Sequence, residues 1–377
     1  MQQDSVNISV ISDPEKFYLL NEEWNRLLKN SKNDTVFLRW EWLYNWWQVY
    51  GKGACRLFII VVHDNGRLIG IAPFYIKKYL GFFREINFLG SNIVCSDYLD
   101  FILLKGSEKF IISLICSFLE QHKKAWDVLV FSDIPSVSSR IDLIESFFMK
   151  YRIVINKKYT TCPYIKLNSP WDKVYNSYTS ILKNTIKRKS KKFEKNDDSG
   201  FVEIKPGEKL ESYFPEFLHL NKLSLEKREI RSPFYKKDFL AFHEKIISEL
   251  LDKGMVKFYF LKKDGKYIAG IYILFYESKY YYYQSGFDPV YEKESPGTLL
   301  FHYCIKAAHE NGAKEFDFLQ GDEPYKLNWT KNKRTNMKIT IYDSTIAGML
   351  IACSHYGTAK TKVQCKKIYY KLMKLHK

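Results

Sequence analysis

The chain has 377 residues, 46% of them hydrophobic and 17% aromatic, which is too apolar for a disordered protein and sufficient for two domains of ordinary size. Its formal charge of +17 points either to anionic partners (cofactor phosphates, anionic lipid, nucleic acid, an acidic glycan) or to a lysine-rich solvated surface. Seven widely spaced cysteines with no CxxC pair argue against zinc and a disulfide framework, and for buried thiols in a reducing compartment.

The opening MQQDSVNISV lacks the basic and apolar regions of a signal peptide, and no apolar run approaches the ~20 residues that span a bilayer. A cytoplasmic protein, at most leaning on a membrane, is therefore expected. Residues 15–50 read as helical and carry Phe37-Leu38-Arg39-Trp40-Glu41-Trp42-Leu43 and Trp46-Trp47. Residues 56–76 (RLFIIVVHDNGRLIGIAPFYI) read as two strands joined by an Asp-Asn-Gly turn, a strong hairpin signal. Asp97 and Asp100 flank Tyr98 ahead of a strand, and an apolar helix from Phe110 leads to the strand WDVLVFSDI. A basic helix at 183–195 (KNTIKRKSKKFEK) then opens a second series. Residues 210–253 are helical, and 257–276 (KFYFLKKDGKYIAGIYILFY) form a hairpin around Asp264-Gly265. A strand at 279–287 feeds Ser295-Pro296-Gly297, the start of a helix that stops at Asn311-Gly312. The last strand, KEFDFLQGD, runs into Glu323-Pro324-Tyr325-Lys326.

The order helix, helix, strand, strand, strand, helix, strand thus occurs twice, a long-period repeat that predicts a duplicated α/β (α+β) domain with mixed sheets. The expected domains are 1–164, 165–345 and a basic tail, 346–377, that contains no acidic residue. Such a tail suits either an amphipathic helix on an anionic membrane or a segment packed across a domain. At the second-half helix start, Ser295 suits an N-cap and Pro296 the first helical position. The amides of Gly297, Thr298 and Leu299 would then serve either an ordinary cap or an anion such as a phosphate.

This order of elements resembles the GNAT acyltransferase fold, and more closely the acetyltransferase domain of CelD-like proteins of bacterial cellulose and exopolysaccharide synthesis. It is also similar to the Fem-type aminoacyl transferases, which carry two GNAT-like units. The resemblance rests on the Trp-rich segment above, Ile71-Ala72-Pro73-Phe74-Tyr75, Ser96-Asp97-Tyr98-Leu99-Asp100 and Asp133-Ile134-Pro135. In the second half it rests on Ser285-Gly286-Phe287-Asp288-Pro289, Ser295-Pro296-Gly297 and the run from Asp317 to Lys326. It covers about residues 15–342. One departure stands out: the family's pyrophosphate loop, Q/R-x-x-G-x-G/A, is here Glu294-Ser295-Pro296-Gly297-Thr298, without the basic residue or the second glycine.

The resemblance implies acetyl-CoA or another acyl-CoA as co-substrate, with its pantetheine arm on the strand at 280–285, including Tyr283 and Ser285. Its pyrophosphate would rest on Ser295, Gly297, Thr298 and Leu299. It also implies Tyr325 as the acid that protonates the leaving thiolate, chemistry suited to a phenol titrating near 10. Asp322 is the preferred base for the acceptor, although helix capping explains it equally well. Asp317 and Lys326 are candidates for acceptor or carrier contacts, as are Asp97 and Asp100, for which turn chemistry is the plain alternative. No metal is expected, because the histidines form no ligand-like cluster, and neither a Walker loop nor a GxGxxG follows a strand. Three functions compete. The first is acyl-CoA-dependent acyl transfer to a small-molecule or glycan amine or hydroxyl in envelope metabolism. The second is Fem-type transfer from an aminoacyl-tRNA, and the third a non-catalytic module on an anionic membrane or glycan. No DNA partner is expected.

Overall fold

A computed structural model describes residues 6–343, apart from 80–82, 92, 138 and 150–154, together with positions 345, 348 and 351. The expected tail, 346–377, lies outside the described residues but for the last two of these. The chain forms two compact units, 1–159 with 336–377, and 160–335.

The first unit opens with β1 (Val6–Ile11), α1 (Pro14–Leu19), α2 (Asn21–Lys29) and α3 (Trp40–Tyr50). Next come β2 (Cys55–Asp64), β3 (Arg67–Tyr79), β4 (Phe83–Phe88), β5 (Ile102–Leu103), α4 (Glu108–Gln121), β6 (Val128–Pro135) and α5 (Ser139–Phe148). β2 and β3 pair antiparallel from Cys55↔Lys77 to Asp64↔Arg67. Their turn places Asn65 and Gly66 at φ +48° and +77°, the left-handed pair that a two-residue hairpin matching strand twist requires. Side chains alternate across β3. Phe74 joins Phe88, Phe101 and Phe131 on one face, with ring centroids 5.1–5.6 Å apart. Tyr75 meets Trp46 of α3 at 4.9 Å. β4 runs parallel to β6, Glu85↔Val128 to Asn87↔Val130.

The second unit repeats the plan. After β7 (Ile155–Lys166) come α6 (Trp171–Asn176), α7 (Ser180–Phe193), β8 (Gly200–Glu203), α8 (Leu210–Glu226) and α9 (Lys237–Leu250). They are followed by β9 (Val256–Lys263), β10 (Lys266–Tyr276), β11 (Lys279–Phe287), α10 (Pro296–Glu310) and β12 (Glu315–Asp317). The β9–β10 turn again holds a left-handed pair, Asp264 and Gly265, at φ +49° and +75°. β11 runs parallel to β12, Lys279↔Glu315 to Tyr281↔Asp317. The apolar stripe of α10 (Leu299, Leu300, Cys304, Ile305, Ala308) buries itself with Leu182, Ile186 and Phe193 of α7 and with Ile271 and Ile273 of β10. On the other face, α8 sets Phe217 against Phe258 and Tyr272.

Strand order is β1-β2-β3-β4-β6 in the first unit and β8-β9-β10-β11-β12 in the second. Each sheet gains one further antiparallel strand beyond the repeated series. β12 pairs with β7, which precedes the second series. β6 pairs with Asn336–Tyr342 of the last strand, β13 (Lys333–Tyr342). A reading in chain order has no means of assigning these two strands. Among the described residues no helix is long and apolar enough to cross a membrane. Cys116, Cys162 and Cys304 are buried, and Cys55 and Cys95 are more open.

Candidate active site

β11 and β12 are paired only as far as Tyr281↔Asp317. β11 continues to Phe287 paired only with β10, and a 3₁₀ turn (Pro289–Glu294) carries the chain to α10. Parallel strands that part at their C-terminal ends, beside a helix N-terminus, leave a crevice where ligands of α/β units sit. Here it is a cleft of about 350 Å³. Its apolar walls are Tyr282, Phe287, Phe301, Tyr325, Trp329 and Leu182. Its polar groups are Ser285, Thr298, Gly297, Ser224, Asn328, Lys227, Arg228 and Glu292.

A β-bulge decides which side chains face this space. Tyr272 pairs with Gln284 while Ile273 pairs with Tyr282, so Tyr283 is the extra residue. A bulge breaks strict alternation of side chains along a strand. Tyr283 therefore turns into the core beneath α9, its Oη 3.1 Å from Nε2 of buried His243. Tyr282 faces α10, edge-on to Phe301 at 4.7 Å, and its hydroxyl lies 2.8 Å from Ser285 Oγ. Beyond the bulge β11 is pressed against α8. A Cβ on Gly286 would come within 2.3 Å of the Asn221 backbone nitrogen. The Asn221 side chain donates to the Ser285 carbonyl at 2.9 Å and accepts from Ser232 Oγ at 2.7 Å.

Tyr325 stands at the start of a 3₁₀ turn (Lys326–Asn328). Its ring packs on Phe301 at 6.0 Å, and 37% of the residue is open to solvent. Its hydroxyl end points inward and hydrogen-bonds Tyr282. Burial, followed by the charge and hydrogen bond of Tyr282, pushes the Tyr325 phenol well above the usual range. Burial raises Tyr282 as well. Tyr325, Tyr282 and Ser285 thus form a chain of hydroxyls that stay protonated at neutral pH and act as donors.

At the helix start, Ser295 adopts a left-handed conformation (φ +56°, ψ +49°), and its side chain makes no capping bond. Ser295 thus holds the expected N-cap position, with Pro296 following, but without a side-chain capping bond. The Leu299 amide is committed to the Ser295 carbonyl at 3.1 Å, and its side chain is in the core. The amides of Gly297 and Thr298 have no backbone carbonyl partner among the described residues. An added Cβ on Gly297 would meet only Phe287 Cδ1, at 3.7 Å, so the missing side chain leaves room in the cleft.

Of the residues singled out in the sequence, Tyr325, Ser285, Gly297 and Thr298 line the cleft; the others do not. Asp322 is exposed on the loop before Tyr325. Asp317 is fully buried, accepting from the Leu319 amide at 2.8 Å and facing Arg334 at 3.4 Å. Lys326 is 3% exposed and braces its own loop, holding Glu323 at 2.8 Å and the Gln320 carbonyl at 2.9 Å. Asp97 and Asp100 are fully buried in the first unit. Asp97 accepts from Asn336 at 2.8 Å. Asp100 holds Arg140, Asn33 at 3.1 Å and the Phe101 amide at 2.8 Å. Sequence reasoning missed Tyr282, because only the bulge brings it round, and also Arg228 and Lys227, which end α8. Arg228 bonds the Ser224 carbonyl at 3.2 Å, and Lys227 pairs with Glu292.

Residues 181–327 match the acetyltransferase (GNAT) domain family. That region lies within the second unit, whose fold is that of a GNAT domain. No curated protein sequence matches the chain. Among solved structures it is similar to FemX at 13% identity, with 89% of this chain and 96% of that one covered and a TM-score of 0.62. The C-terminal domain of a putative lysylphosphatidylglycerol synthetase from Agrobacterium fabrum is 10% identical, with 90% and 95% covered and a TM-score of 0.53. L-PGS from Bacillus licheniformis is 13% identical, with 87% and 91% covered and a TM-score of 0.52. At such identities the likeness is one of fold.

Proposed function

We propose that the second unit moves an acyl group from a pantetheine thioester, as in acetyl-CoA, to an amine or hydroxyl acceptor. The observation that carries this reading is the hydroxyl chain Tyr325–Tyr282–Ser285, set in the apolar cleft between the parted strands and the open amides of α10. The aromatic walls suit an extended, mostly apolar arm, and the Gly297 and Thr298 amides suit a phosphate at its far end. The acceptor attacks the thioester carbon and the C–S bond breaks; Tyr325 gives its proton to the departing sulfur, and the proton that the acceptor loses returns through solvent to restore the Tyr325 phenol. Arg228, Lys227 and Ser224 line the acceptor side and favour an acceptor carrying anionic or hydrogen-bonding groups. Asp322 has no part in these steps. An acceptor from exopolysaccharide or envelope metabolism follows from the CelD-like resemblance alone.

A carrier that binds only the native state raises its stability by mass action. Acetyl-CoA at a hundred times its Kd should therefore add ~2.7 kcal/mol to unfolding. Amide exchange should slow at 282–287 and 296–301. If acetyl-CoA neither stabilises the protein nor protects those amides, the cleft is not a thioester site.

A second reading is supported by the span of the likeness to FemX and by the basic residues of α7: an amino acid delivered on tRNA in place of an acyl thioester. It predicts protection by an aminoacyl-adenosine fragment and none by acetyl-CoA.

A further inference from the structure

α7 buries Leu182, Ile186 and Phe193 and turns the opposite face to solvent. Lys187, Arg188, Lys191 and Lys192 are exposed there, and Lys195 just beyond the helix end continues the row. Their spacing, alternately one and three residues, puts all five on one stripe about 12 Å long at 1.5 Å per residue. The stripe is local: exposed Glu194, Asp197 and Asp198 end it. The helix also reaches the cleft, with its buried face. Leu182 is a cleft wall, and Lys189 reaches across to the carbonyl of Lys293, just before α10. Two large apolar side chains are exposed next in sequence to the cleft lining: Ile181, 80% exposed, adjoining Leu182, and Val290, 84% exposed, two residues from Glu292.

The phosphate grip at α10 is small by comparison. It consists of the two amides, and the glutamates at the helix approach are already matched, Glu292 by Lys227 and Glu294 by Lys263. One phosphodiester suits that grip. Five further cations on a separate helix face exceed what a nucleotide bound there would neutralise. A surface built for a nucleic-acid backbone would be a longer basic track without apolar studs, whereas cations mixed with exposed Ile and Val suit a folded protein with an acidic, partly apolar face.

We infer that the acyl donor is delivered by a small acidic carrier protein, which docks on the exposed face of α7 while its phosphopantetheine arm enters the cleft. This rests on the thioester reading above and names the carrier for it. The reaction balances without a further reactant. The acceptor's N or O bonds to the acyl carbon and loses a proton, the C–S bond breaks, and the carrier leaves as its thiol.

The test uses the full chain and three probes: an acyl carrier protein bearing acetyl-phosphopantetheine, acetyl-CoA, and a short RNA duplex. Binding is read by calorimetry at two salt concentrations. The charge-reversed variant Lys187→Glu/Lys191→Glu/Lys195→Glu should lose ~10- to 100-fold in affinity for the acetyl carrier protein and most of its salt dependence. It should hold acetyl-CoA within about twofold of the parent protein, because these side chains lie off the cleft. Lys→Arg at the same three positions should retain the carrier protein, which separates charge from folding. Three results overturn the inference: acetyl-CoA bound as tightly as the acetyl carrier protein, equal loss of both donors in the reversed variant, or loss confined to the RNA duplex. If neither thioester binds the parent protein, the reading of the cleft itself has failed, an outcome distinct from those three.

Discussion

The two units put the same scaffold to different ends, and the contrast is sharpest where each pair of parallel strands parts. In the second unit β11 runs on past β12, and the space beside α10 stays open as a cleft. In the first unit β4 stops at Phe88, and side chains of the segment that follows pack into the core. Leu89, Val94, Leu99 and Phe101 are buried there, and Ser96 holds the segment by accepting from Trp42 Nε1 at 2.9 Å and donating to the Gly90 carbonyl at 2.8 Å. The helices differ in the same sense. α10 begins with Pro296-Gly297 and no acidic residue in its first turn. α4 begins with Glu108, whose carboxylate accepts from the Gly106 amide at 3.1 Å and pairs with Lys32 at 2.8 Å. One helix start thus carries a carboxylate held within the chain, and the other carries none. A strand–helix frame supplies the place for a site, and a few local choices decide whether it is filled.

The largest expected effect tests the filled unit. Asp100→Ala removes the buried partner of Arg140, and breaking such a pair costs ~3–5 kcal/mol. Chemical denaturation should show that loss, with amide exchange faster in 89–104, while acetyl-CoA affinity of the remaining folded protein is unchanged. A loss of affinity would show that the two units are not independent in function. Next comes the open unit's chemistry. Tyr325→Phe keeps the ring on Phe301 and removes the proton donor, so turnover should fall about a hundredfold, or ~3 kcal/mol of barrier, with KM nearly constant. Because the phenol is raised, the parent enzyme should show no alkaline loss of activity from this group up to pH ~10. A normal turnover number in the variant would leave Tyr325 as a wall of the cleft.

Gly297→Glu makes α10 resemble α4 by placing a carboxylate at the helix start. The backbone conformation allows a side chain there and the nearest contact is 3.7 Å, so the fold should persist. Acetyl-CoA affinity should drop ~10- to 100-fold through lost space and repulsion of phosphate. Unaltered affinity would place the phosphate elsewhere. The smallest effect is in pH dependence. Burial pushes His243 down to about 3 and His302 to about 4, both in the second unit. Their unfolded forms protonate near 6.5, so the stability they confer is complete above that pH and is lost as pH falls towards 3, at about 1.4 kcal/mol per unit and per group. In the first unit, burial pushes Asp133 up to about 6 despite Lys338. That group contributes its full share of stability below about 4 and loses it as pH rises through 6. Between pH 6.5 and 4, then, amide exchange should accelerate in the second unit relative to the first. Equal acceleration in both would remove the distinction.

Much of this was legible in the sequence because it depends on short-range rules. The Asn65-Gly66 and Asp264-Gly265 turns fix hairpins through backbone conformation alone. The apolar stripe of α10 and its stop at Asn311-Gly312 follow from helical period and from glycine's access to φ +73°. Gly297, Thr298, Ser285 and Tyr325 could be grouped from their positions relative to those elements, and they line one cleft. Three things were decided only by tertiary structure. The last strand of the first unit's sheet comes from the far end of the chain, since pairing along a sheet edge depends on hydrogen-bonding geometry in space and leaves no local mark. The bulge at Tyr283 exchanges that residue for Tyr282, because one extra residue in a strand shifts side chains to the other face without altering composition. The acidic residues Asp97, Asp100 and Asp317 looked like site residues, yet each is buried and tied to a polar partner. A carboxylate's meaning rests on what surrounds it, and that is set by packing between segments far apart in the chain.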